Sequence, residues 1–357
     1  MDFFPFLLSL VFFLMLHLSG QRVVEAESDI VKHYHHKSIT KLFVFGDSYA
    51  DTGNIKRGFA SSWKNPYGIT FPGKPAGRFS DGRVLTDYIA KYLKMKSPVS
   101  YRVRKQVMRH HLKYGMNFAF GGTGVFDTLF QGPNMTTQIK FLERAIKDKL
   151  YTTEDINNSV ALVSVAGNDY TRYTVTNGSI EGLPSFIESV INQTITNLID
   201  IKGLGVKKVI ISNLQPVGCL PQTTASSSFK QCNETTNNLL ALYHNTLLTQ
   251  AVTKLNQQNK DHHSSIPFLV LNLYDSFMSV LNHPSTHNIK DKLRPCCVGV
   301  SNEYACGSVD ENNVKKYLVC EKPKSAFFWD LVHPTEAGWH AVYNKLRVMN
   351  ALQQIHY

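Results

Sequence analysis

Four short apolar runs, too far apart to pair as hairpins, constrain this chain most. They are "KLFVFG" (41–46), "SVALVSVAG" (159–167), "VKKVIISNL" (206–214) and "IPFLVLNLY" (266–274). Each reads as a strand apolar on both faces, and helical periods lie between them. Over 184–204, Phe186, Ile187, Val190, Ile191, Ile195, Leu198 and Ile199 recur at helical spacing, and Gly203 and Gly205 close the segment. A second amphipathic helix spans 238–258. Doubly buried strands joined by helices predict a parallel sheet covered on both sides. With 43% apolar and 11% aromatic residues, the chain can fill such a core, which excludes disorder. No repeat divides it, so a single domain is expected over residues 40–357.

In parallel sheets, function gathers at the carboxyl ends of the strands. Ser48 stands there, in "FVFGDSYADTGN" (43–54), and Asn168-Asp169 follows the second run. A serine hydroxyl becomes a nucleophile only when a base takes its proton and a third group orients that base. Among 14 histidines, spacing selects "FFWDLVHPTEAGW" (327–339), where Asp330 and His333 stand three apart. Pro334 suits the first position of a helix and Glu336 its positive end. An ordinary helix start with a surface Asp and His explains that segment equally well.

Four blocks together carry a resemblance. "FGDSYADTGN", "NFAFGGTG" (117–124), "AGNDY" (166–170) and "WDLVHPTE" occur in this order between about residues 40 and 348, and the chain is similar to plant GDSL-type esterases/lipases of the SGNH hydrolase superfamily. The resemblance implies an α/β fold, a three-layer α/β/α sandwich on a flavodoxin-like parallel sheet. It assigns Ser48 as nucleophile, His333 as base and Asp330 as its orienting acid. The oxyanion donors it implies are the N–H of Ser48, Asn168 and a glycine N–H of the second block, with Gly121 favoured over Gly122. It implies no metal and no cofactor. Asp47, Asp51 and Asn54 accordingly read as supports of the Ser48 loop. Three departures stand out: Tyr49 takes the place of the family's Leu, Phe120 precedes the glycines, and Ala166 sits at a glycine position, tolerable at negative φ. The G-x-S-x-G elbow of ordinary α/β-hydrolases is absent.

The N-terminus reads separately. Residues 3–18 are almost wholly apolar, the length of a signal-peptide core, with cleavage expected after Gly20 or Ala26 and a polar segment over 27–39. Six cysteines, Cys219, Cys232, Cys296, Cys297, Cys306 and Cys320, and five Asn-x-Ser/Thr acceptors, Asn134, Asn157, Asn177, Asn192 and Asn233, suit export to the extracellular space or cell wall. Cys219–Cys232 is expected to pair. The other four allow three pairings, of which Cys297–Cys306 with Cys296–Cys320 is favoured. The formal charge is +11, and removing Asp2, Arg22 and Glu25 with the leader makes it +12. Such a charge favours polyanionic surroundings such as cell-wall material, although the densest run, "RVRKQVMRHHLK" (102–113), reads as a solvated face. Nucleic acid is not expected. The ester substrate would be a small molecule, a lipid or a polysaccharide. An acyltransferase with the same triad, or a catalytically silent wall or defence protein, are the alternatives.

Overall fold

The computed structural model describes residues 39–258, 266–349 and 352–355; the proposed leader lies outside them. Strands β1 (Lys41–Gly46), β2 (Val99–Ser100), β3 (Gly115–Asn117), β4 (Ser159–Ser164), β5 (Lys208–Ser212) and β6 (Phe268–Leu271) form one sheet in the order β2-β3-β1-β4-β5-β6. Every pairing in it is parallel. Without the two-residue β2, the order is the flavodoxin type, and the direction of winding reverses between β1 and β4.

The strands feed two cores by simple alternation. Leu42, Val44, Val160, Leu162 and Ile210 face one side. Phe43, Phe45, Ala161, Val163, Val209 and Ile211 face the other. The helices are α1 (Leu85–Tyr92), α2 (Met135–Lys147), α3 (Thr153–Asn157), α4 (Gly167–Val175), α5 (Leu183–Gly203), α6 (Pro221–Thr224), α7 (Asn237–Gln258), α8 (Leu273–Asn282) and α9 (Glu336–Val348). Ile89 of α1, Phe277 of α8 and Trp339 of α9 cover the first core. Leu142 of α2, Val190 of α5 and Leu248 of α7 cover the second. The result is the expected three-layer α/β/α sandwich. Each fully buried Phe, Leu or Val contributes roughly 1.5–3 kcal/mol by leaving water.

The strands end sooner than their apolar runs. β6 stops at Leu271 because the Asn272 side chain accepts the N–H of Asp275 (3.0 Å) and caps α8, so Leu273 and Tyr274 are helical. Helix α5 ends at Gly203, and Gly205 takes φ +98° just beyond. Its stripe drifts from the predicted one. Ile199 is 48% exposed, while Thr194 and Asn197 turn inward and Asn197 Nδ2 donates to Thr136 Oγ1 (3.0 Å). Pro334 precedes α9 instead of opening it, since Thr335 caps that helix by accepting the N–H of Gly338 (2.9 Å).

A third, smaller core packs Tyr67 and Trp329 against Cys296, Cys297 and Cys306. The disulfides are Cys219–Cys232, Cys296–Cys320 and Cys297–Cys306. Two of the three therefore lie under the segment that carries Asp330 and His333.

Candidate active site

The chain leaves β1 through Gly46 at φ +131°, where a Cβ would collide with the Ser164 carbonyl. Only glycine fits there. The buried amide of Gln138 imitates a neighbouring strand: its Oε1 accepts the Gly46 N–H (2.7 Å) and its Nε2 donates to the Gly46 carbonyl (2.9 Å). The turn that follows is built around Asp51, whose carboxylate accepts the N–H groups of Gly53 (2.7 Å), Asn54 (2.7 Å), Ile55 (3.2 Å) and Gly121 (2.9 Å). Asn54 Nδ2 donates to the Asn117 and Ala119 carbonyls, both at 2.8 Å. Asp51 and Asn54 thus brace the loop, as the sequence suggested, and Ser48 is held with 8% of its surface exposed.

Across from it, His333 Nε2 lies 2.7 Å from Ser48 Oγ. His333 Nδ1 lies 2.9 Å from both carboxylate oxygens of Asp330. Asp330 also accepts the Tyr67 hydroxyl (2.7 Å) and the N–H groups of Val332 and His333 (2.8 Å each). Burial works against the charge of Asp330. The adjacent His333, the Tyr67 hydroxyl and the Val332 N–H outweigh it and hold the carboxyl below its ordinary range. Serine, histidine and aspartate are therefore linked in the order that proton transfer from Ser48 requires.

Tyr49 does more than fill space. Its ring packs edge-on against Trp339 and its hydroxyl donates to the Val332 carbonyl (2.9 Å), tying the Ser48 loop to the loop of His333. Phe79 packs against the His333 ring, centroids 5.0 Å apart. Tyr67, Phe79 and Gln138 were not legible as site residues, since each lies far in sequence from the group it supports and belongs to none of the four blocks.

The second and third blocks meet beside Ser48. Asn168 Nδ2 donates to the Thr123 carbonyl (2.9 Å), and Thr123 Oγ1 reaches the Gly46 carbonyl (3.3 Å). Gly121 corrects the expectation. Its N–H is committed to Asp51, whereas the N–H groups of Ser48 and Gly122 have no acceptor among the described residues. Gly122 takes φ +81°. Ala166 is a second correction: it sits at φ +99°, in the left-handed region where a Cβ is strained. Asp169 accepts the N–H groups of Val125 (3.0 Å) and Phe126 (2.9 Å), locking the two blocks together. Burial pushes its carboxyl up to about 6. Phe120 lies beside Phe141 and is not part of the cavity wall.

That cavity, of about 510 Å³, opens at Ser48 and runs along the carboxyl ends of β4 and β5, past Asn168, Tyr170, Gln215, Leu220 and Leu240. Ser48, hydrogen-bonded to His333, thus stands at the mouth of a cleft. Residues 42–346 match the GDSL-like lipase/acylhydrolase family. The chain belongs to that family. It is accordingly a carboxylic ester hydrolase. The GDSL esterase/lipase At5g03610 of Arabidopsis thaliana is 55% identical over 313 residues, 86% of each chain. The GDSL esterase/lipase At3g09930 of the same plant is 47% identical over 329 residues, 90% of this chain and 92% of that one. Among solved structures, a catalytic mutant of the acetylxylan esterase Axe2 from Geobacillus stearothermophilus is 14% identical, covering 88% of this chain and 94% of its own, with a TM-score of 0.38.

The remaining expected sites fall outside the cleft. Asn157, Asn177, Asn192 and Asn233 are exposed. Asn134 is half-buried, its oxygen capping α2 and its Nδ2 donating to Asp127 (3.0 Å). Within the basic run, Arg102 is structural, donating to the Ile55 carbonyl (2.9 Å). Among the described residues, no helix is long and apolar enough to cross a membrane.

Proposed function

We propose that this ester hydrolase works through Ser48, His333 and Asp330. The observation that carries the reading is the continuous chain from Ser48 Oγ through the His333 ring to a buried, ionised Asp330. Ser48 attacks the ester carbonyl while His333 takes its proton. Asp330 fixes the imidazole tautomer and stabilises the imidazolium, and His333 then protonates the leaving alcohol. Water, activated by the same histidine, releases the acid from the acyl-enzyme. The oxyanion is received by the N–H groups of Ser48 and Gly122 and by the Asn168 amide. Gly122 takes the role expected of Gly121 because it retains a free donor. The apolar leader, the disulfides and the exposed acceptors Asn157, Asn177, Asn192 and Asn233 support a secreted glycoprotein, cleaved after Gly20 or Ala26 and folded as one domain over 40–357. Its positive charge suits weak retention on polyanionic wall material.

Asn168→Ala tests this reading beyond the triad. An oxyanion donor acts only on the tetrahedral state, so kcat should fall about 10²–10³-fold with KM nearly unchanged. A folded variant with wild-type kcat, or one that loses only thermal stability, would remove Asn168 from the chemistry.

A further inference from the structure

The cavity beside Ser48 is built unlike an alkyl channel. Asp47, Ser164, Ser212 and Gln215 line it while being 7, 3, 4 and 7% exposed. They come from the ends of β1, β4 and β5, so the sheet itself holds them in place. Among the described residues, the hydroxyls of Ser164 and Ser212 and the amide of Gln215 have no hydrogen-bond partner. Asp47 accepts only the N–H of Tyr49 (3.0 Å), through one oxygen. Their unpaired atoms face the cavity and are not sealed in the core, so water pairs with them until a ligand replaces it. Four in one cavity therefore mark a place where a partner's polar atoms belong.

An alkyl chain entering here would displace water from all four groups and return no hydrogen bond. A ring or short chain bearing hydroxyls replaces each lost bond, while Leu214, Val217, Leu220 and Leu240 meet its C–H faces. Such a moiety joins an ester through one of its own hydroxyls, as the alcohol component. Resting on the hydrolase reading above, we propose that the cavity binds the alcohol portion of the substrate and that this portion is a sugar or polyol, recognised by Asp47, Ser164, Ser212 and Gln215. Burial lifts the Asp47 carboxyl to about 7, so in mildly acidic surroundings it can donate to a substrate hydroxyl as well as accept from one.

The test compares two acetate esters on the purified protein: a mono-O-acetylated methyl glycoside and n-octyl acetate. The glycoside should have the higher kcat/KM, by tenfold or more. Gln215→Leu and Ser212→Ala should each reduce that preference by about tenfold, the effect of one hydrogen bond. Labelling of Ser48 by a fluorophosphonate, with melting temperature, shows that each variant is folded. Ser212→Ala, which removes a single oxygen, serves if the larger change disturbs packing. A preference for octyl acetate, or a ratio unmoved by both substitutions, overturns this proposal and leaves the hydrolase reading standing. No turnover of either ester by a protein whose Ser48 resists the fluorophosphonate overturns both.

Discussion

Two regions meet at Ser48 and are finished to different degrees. At Gly46 and from Ala50 to Ile55, on either side of Ser48, polar atoms are paired within the protein, through Gln138, Asp51, Asn54 and Asn117. In the cavity along β4 and β5, the hydroxyls of Ser164 and Ser212 and the amide of Gln215 face the open space with no partner among the described residues. The difference separates two tasks. A nucleophile must be held still before substrate arrives, and that demands satisfied hydrogen bonds around it. A binding wall must leave capacity for something that is not yet there.

Asp51→Ala is the strongest way to break the comparison. It orphans four buried N–H donors, three in the Ser48 loop and one in Gly121. At about 1–3 kcal/mol for a buried donor left unpaired, most of the stability of a domain like this would be lost. Thermal denaturation should show a far lower melting temperature or no folded protein, whereas Gln215→Leu in the cavity should melt near wild type. Equal losses at the two positions would erase the distinction.

A second test uses pH. Burial raises the carboxyls of Asp47 to about 7 and of Asp51 and Asp169 to about 6, from an ordinary 3.8. The folded protein therefore holds these protons to higher pH than the unfolded chain does. The stability they contribute is full below about pH 4 and is lost as pH rises toward 6 and 7. Asp330 and Asp87, both held low, act oppositely and lose their contribution as pH falls through their folded values. Melting temperature should thus peak on the acid side of neutrality, and Asp47→Asn should flatten the decline toward pH 7. A melting temperature that rises from pH 5 to pH 8 would contradict the assignment.

The sheet, the two long helices and the residues at the strand ends could be read from the chain because they depend on local periodicity and on short blocks. The braces could not. Tyr67 reaches Asp330 across 263 positions and Gln138 reaches Gly46 across 92, and nothing near either residue signals its partner. The second block favoured Gly121 over Gly122, because nothing in it signals that the Asp51 carboxylate, 70 positions away, accepts the Gly121 N–H. For Ala166 the sequence gives no sign of φ: Ala is tolerable there at a negative value, yet the turn into α4 imposes +99°. That residue gives the smallest test. Ala166→Gly should relieve left-handed strain and raise stability by up to about 1 kcal/mol, read as a modest gain in melting temperature. A clear loss would mean that packing of the Ala166 methyl in the core outweighs the strain.

The central claim is that the satisfied loop presents one activated serine. Treatment with a fluorophosphonate followed by peptide mapping measures this directly. The account predicts one equivalent of label, on the peptide containing Ser48, with loss of ester hydrolysis in step with labelling and no label on Ser48→Ala or after His333→Ala. Label on a different serine, or ester hydrolysis that persists in Ser48→Ala, would contradict it.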